Sequence, residues 1–65
     1  VKRRDLEQHL RQHGCRLGRH GRGHDIWENV RIGSDSSVPR HREVKPGLVR
    51  KICKDLQIPA PKNPN

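Results

Sequence analysis

The sequence has no Phe, no Tyr and no Met, and Trp27 is its only aromatic residue apart from the histidines. That scarcity argues against a platform on which several bases of a single strand stack. It also bounds the core. With 28% hydrophobic residues in a chain of 65, one small domain is the most that can form, and Trp27 belongs at its centre. No apolar run approaches the length of a membrane-crossing helix, no signal peptide opens the sequence, and no lipid anchor is visible. The expectation is a cytoplasmic protein without membrane contact. Cysteine is scarce as well. Cys15 and Cys53 lie far apart, and without an export signal they read as two buried thiols. No clustered Cys/His set of zinc-site spacing occurs, so neither metal nor cofactor is expected.

Acidic residues are outnumbered. Fifteen Lys and Arg against seven Asp and Glu leave a net charge of +8 and a pI near 10.8. Such an excess favours a polyanionic partner, nucleic acid in the first place. The acids are scattered singly, so no segment is locally neutral.

Arg4 to His13 reads as an amphipathic helix. Leu6 and Leu10 share a face, Glu7 and Arg11 are oriented as a favourable pair, and Gly14 supplies the stop. His9 and His13 are four apart, a spacing that can hold a metal, but no third ligand accompanies them; they read as surface histidines. Cys15 to His20 alternates as a strand, with Cys15, Leu17 and Arg19 on one side and Arg16, Gly18 and His20 on the other. Gly21 and Gly23 flank Arg22 as the tip of a hairpin, and His24 to Asn29 is the returning strand. If Trp27 points inward, period two puts Asp25 and Asn29 with it and His24 on the opposite side. Two polar residues on an inner face are expected near strand ends or at the sheet edge.

Gly33-Ser34-Asp35-Ser36 signals a turn, followed by a third strand from about Ser37 to His41. Val38 points inward, while Pro39 and His41 fall on the side of His24. Pro39 cannot donate to a ladder, so this strand belongs at an edge. After a basic connector, Pro46 opens a second helix that runs to about Gln57, with Leu48, Ile52 and Leu56 as its stripe and Val49 and Cys53 beside it. The expected fold is α+β, α-β-β-β-α, with two helices on one face of a three-stranded antiparallel sheet and the other face open. The expected core is Leu6, Leu10, Leu17, Trp27, Val38, Leu48, Ile52 and Leu56. The domain spans residues 1–58, and the Pro-rich stretch 59–65 is an extended or disordered tail.

Several local features, in order, resemble the HicA (YcfA-like) toxins of type II toxin–antitoxin systems. They are the short first helix ending in Gly14-Cys15-Arg16-Leu17, Gly23-His24 with Trp27 three residues on, Val38-Pro39-Arg40-His41, and Lys45-Pro46-Gly47. The resemblance covers about Lys2 to Ile58. It implies a double-stranded-RNA-binding-like fold, endoribonuclease (mRNA interferase) activity and neutralisation by a HicB-type antitoxin, with DNA met only through that antitoxin. The family's catalytic histidine maps onto His24. Many members carry Gly-Ser before that histidine, where this chain has Arg22-Gly23.

The chemistry is consistent with the residues present. RNA carries its own nucleophile, the 2′-OH, so cleavage needs proton transfer and charge stabilisation but no metal. Histidine suits the proton transfers. Arginine suits the charge, because it can grip a phosphate with two N–H groups. His24 is the catalytic candidate and His41 a second acid or base. Arg22, Arg40 and Lys45 are the phosphate-binding candidates, Lys45 at the N-terminus of the second helix. Two other classes remain open on sequence: a non-catalytic double-stranded-RNA-binding module of the same topology, and a toxin-like chain acting as an interaction partner.

Overall fold

A computed structural model describes residues 1–61. Its elements run α1 (Arg3–Gln12), β1 (Cys15–His20), β2 (His24–Asn29), β3 (Ser34–Pro39) and α2 (Pro46–Asp55). The strands form one antiparallel sheet in the order β1-β2-β3. This is the expected α+β arrangement, with Pro39 at the end of an edge strand. The expectation of an unstructured tail falls partly on residues 62–65, outside the described residues.

Both helices pack on the face of the sheet that carries Trp27. Leu6 and Leu10 of α1 meet Cys15, Trp27 and Val38 of the sheet, Val49, Ile52 and Cys53 of α2, and Leu56 at its C-cap in one buried cluster. Its apolar atoms leave water together, which is the main stabilising term for a domain this small. Val1 and Val44 join it as well, through a short antiparallel bridge between Lys2 and Glu43. Among the described residues, no helix covers the opposite face of the sheet.

Leu17 and Leu48, expected in this core, are each 37% exposed. Leu17 pairs with Trp27, but β1 is an edge strand with no neighbour on its outer side to complete the burial. In α2 the buried stripe is Val49, Ile52, Cys53 and Leu56, which follows the helical steps of three and four and leaves Leu48 at its margin. The helix closes earlier than expected, at Asp55, where Gln57 takes a left-handed φ of 56° and Ile58 N–H returns to the Cys53 carbonyl. Such a closure satisfies helix-end carbonyls.

The third strand also differs from its expected limits. Of the expected turn signal only Gly33, at φ 74°, belongs to the turn, which runs from Val30 to Gly33, and Ser34, Asp35 and Ser36 already pair with β2. In the first half of α1, Glu7 pairs with Arg3 at 3.9 Å, not with Arg11. Arg11 instead lies over the Trp27 ring, 5.1 Å from its centroid, a cation–π contact of about 0.5–1 kcal/mol. Both cysteines are free and buried, and burial pushes both thiols above their ordinary range.

Candidate active site

The hairpin between β1 and β2 is closed by Gly21 N–H donating to the His24 carbonyl at 2.7 Å. Gly23 sits at φ 75°, a backbone state that side chains disfavour. Gly21 matters for a different reason: a Cβ there would crowd the His24 carbonyl oxygen at 3.0 Å and its Nε2 at 3.2 Å, so that one of them would have to shift. The imidazole therefore packs against bare backbone, half-buried, on the face opposite Trp27.

A second feature shapes this open face. The β1–β2 register shifts between Leu17 and Arg19, leaving Gly18 as the extra residue of a bulge. A bulge reverses the alternation beyond it. Arg19 pairs with Ile26 and His20 with Asp25, so Arg19 shares the face of His24, and His20 goes to the Trp27 side. Strict period two had assigned them the other way round. Arg19 is thus a site residue that strict alternation missed; the interior glycine of β1 was the available signal. Ser37, opposite Ile26, and Pro39, opposite His24, complete this end of the face. Farther along it, Arg16 and Glu28 form an ion pair at 2.8 Å.

Behind the hairpin lies a charged network. Asp25 is buried on the Trp27 side, near the end of β2 yet in the central strand. His20 Nδ1–H donates to its Oδ1 at 2.8 Å, and Arg40 Nε donates to the same oxygen at 2.9 Å. The His20 hydrogen bond is the largest influence holding the Asp25 carboxyl below its ordinary range; burial opposes it and Arg40 adds to it. Arg40 also donates from Nη2 to the Gly21 carbonyl at 2.8 Å. One guanidinium thereby ties the exit of β3 to both sides of the loop that carries His24.

The remaining expected site residues are dispersed. Arg22 is exposed at the hairpin tip. His41 is exposed two residues beyond the end of β3, so the pleat that was to align it with His24 does not extend that far. Lys45 is the exposed N-cap of α2, with no side-chain cap and Pro46 behind it. Among the described residues no hydrogen bond or ion pair joins His41, Arg22 or Lys45 to His24. No group of three or more His, Cys, Asp or Glu that could hold a metal occurs among them either. His9 and His13 are occupied locally, with His13 Nδ1 at 3.0 Å from the His9 carbonyl and His9 Nε2 at 2.7 Å from that of Pro59.

A family model for the HicA toxin of bacterial toxin–antitoxin systems matches residues 3–58. The chain belongs to the HicA toxin family. Comparisons with curated proteins and with solved structures give no match. The HicA match runs from the first residue of α1 through Ile58, so it takes in both helices, the whole sheet and the His24 hairpin. Membership makes the chain a toxin of a toxin–antitoxin system, a class that works with an antitoxin partner. No helix among the described residues is long and apolar enough to cross a membrane.

Proposed function

We propose that this HicA toxin is an endoribonuclease that cleaves mRNA at His24 through the RNA's own 2′-OH. The observation that carries the reading is the placement of His24 on the open sheet face, seated on Gly21, with Arg19 on the same face and Arg22 exposed at the hairpin tip. His24 takes the 2′-OH proton as the 2′-oxygen bonds to phosphorus. The bond to the 5′-oxygen breaks, and that oxygen leaves with a proton. Arg19 and Arg22 balance the charge that builds on the phosphoryl oxygens. His41 is the candidate for the second proton transfer, and Lys45 for a phosphate contact along the strand. Chemistry of this kind needs no metal, because the nucleophile is supplied by the substrate.

A HicB-type antitoxin would neutralise the toxin by covering the His24 face with acidic or polar side chains, in keeping with the excess positive charge. Residues 1–58 act as the functional unit, in the cytoplasm, and contact with DNA comes only through the antitoxin. The α-β-β-β-α order is also that of double-stranded-RNA-binding domains, so a non-catalytic RNA binder is the second reading.

Incubation of the purified protein with RNA, with and without EDTA, separates the two. Cleavage that survives EDTA and stops when antitoxin is added is the expected result. Binding without cleavage favours the second reading, and cleavage abolished by EDTA alone refutes the metal-independent scheme. A complex that leaves His24 open and the nuclease active would remove simple occlusion.

A further inference from the structure

The start of α1 and the connector after β3 enclose a groove lined by Lys2, Arg3, Arg4, Arg40, Arg42 and Glu43. Five of the six are cations, and among the described residues Lys2, Arg4 and Arg42 form no ion pair. Its walls are stitched together by backbone and side chain. Arg3 N–H donates to the Arg42 carbonyl at 2.9 Å, Arg3 Nη1 to the Arg40 carbonyl at 2.7 Å, and Lys2 bridges to Glu43. The positive end of the α1 dipole adds to the same field.

Arg40 makes the groove continuous with the hairpin. Its backbone belongs to the groove wall, while its guanidinium holds Gly21 and Asp25. The guanidinium thus links the groove to the loop that carries His24, from the Trp27 side of the sheet. Uncompensated guanidinium groups in a groove match phosphodiester oxygens in both charge and geometry.

We infer that this groove is a second RNA site, which holds the phosphate backbone of the substrate strand away from the bond being cleaved. The inference rests on the reading of the chain as an RNA-cleaving toxin and extends it from one histidine to a track. Arg4 and Arg42 are its free ligands, and Arg40 is its fixed wall.

The test measures affinity for a short fluorescent single-stranded RNA, 2′-O-methylated so that it cannot be cleaved, over a range of salt concentrations. The proteins are wild type, the double variant Arg4→Gln/Arg42→Gln, and the control Arg50→Gln/Lys54→Gln, which removes the same charge from α2. All are checked for folding by circular dichroism. Each lost phosphate contact lowers the slope of log affinity against log salt by about 0.7 for a single strand. The groove variant should therefore lose roughly 1.4, two contacts at that value, and the control should keep a near wild-type slope. An unchanged slope in the groove variant, or an equal loss in the control, overturns the inference. So does unchanged RNA affinity with weakened antitoxin binding, which would assign the groove to the protein partner. Unmodified RNA is tested in parallel for cleavage. Groove-dependent binding without cleavage removes the nuclease reading and leaves the site standing; cleavage with an unchanged slope removes the site alone.

Discussion

The two ends of β2 place a polar residue on the same buried face, and they satisfy it in different ways. At one end Asn29 donates to the Leu56 carbonyl at 2.9 Å and accepts from Arg31 N–H at 3.2 Å. Both partners are backbone, the residue is neutral, and the turn beyond it is closed by Gly33 N–H bonding to the Asn29 carbonyl. At the other end Asp25 is charged, and its partners His20 and Arg40 are side chains that are themselves substantially exposed. One end locks a turn into the core, and the other suspends a loop from a charged anchor. The lesson is that His24 owes its position to the second arrangement, which can be weakened without dismantling the core.

The largest effect should come from the residue between the two ends. Trp27 is 1% exposed, and truncating a buried aromatic to alanine costs about 3–5 kcal/mol. A chain of this size has about 3–10 kcal/mol in total. Trp27→Ala should therefore be largely or wholly unfolded, as judged by urea titration, and both ends of β2 should fail together. A stable, active Trp27→Ala protein would show that the ends do not share a core.

Next in size is Arg40→Gln. Loss of the Nε and Nη2 contacts frees Gly21 and leaves Asp25 with His20 alone, so the His24 ring loses its fixed seat. A misplacement of about 1 Å can cost on the order of 10² in rate. The expected result is a clear fall in cleavage rate per folded molecule at saturating RNA, together with a changed His24 imidazole NMR signal. If only affinity falls, Arg40 is a phosphate ligand and not a positioning residue.

Asn29→Ala should do the opposite. Leaving the buried Leu56 carbonyl without its partner costs about 1–3 kcal/mol, visible in urea unfolding, while cleavage per folded molecule stays near wild type. Equal losses of activity at Asn29 and Arg40 would erase the distinction between the two ends.

The smallest effect concerns acid. The folded Asp25 carboxyl titrates below its ordinary value of 3.8, so between the two values the unfolded chain binds more protons and stability rises with pH. Its contribution is complete above the ordinary value and is lost as pH falls through the lowered one. Asp55, lowered chiefly by its hydrogen bond from Lys51, has the same sign. Asp25→Asn should therefore reduce, without removing, the loss of unfolding midpoint below pH 4. An acid profile unchanged by Asp25→Asn would mean that the carboxylate contributes nothing through its charge.

Much of this was legible in the sequence because period two and helical spacing are strong signals. They placed Trp27 inward and His24 outward, and the missing N–H of Pro39 placed its strand at an edge. What they missed has identifiable causes. A single bulge at Gly18 moved Arg19 to the His24 face and His20 to Asp25, and strict alternation has no means of foreseeing an inserted residue. Leu17 and Leu48 are apolar but lie where neighbours run out, at an edge strand and at a helix margin. Arg40 read as a phosphate-binding candidate, not as a holder of the hairpin; its contacts with Gly21 and Asp25 arise from tertiary folding between residues 15 and 19 positions apart.

The central claim is that His24 performs the proton transfer in RNA cleavage. It is tested most directly by the single-turnover cleavage rate of His24→Ala at saturating RNA, on protein shown by circular dichroism to be folded. Loss of a general acid–base group lowers the rate on the order of 10² to 10⁴. A fall of that size is expected, with RNA affinity largely retained. A folded His24→Ala protein that cleaves at the wild-type rate would contradict it.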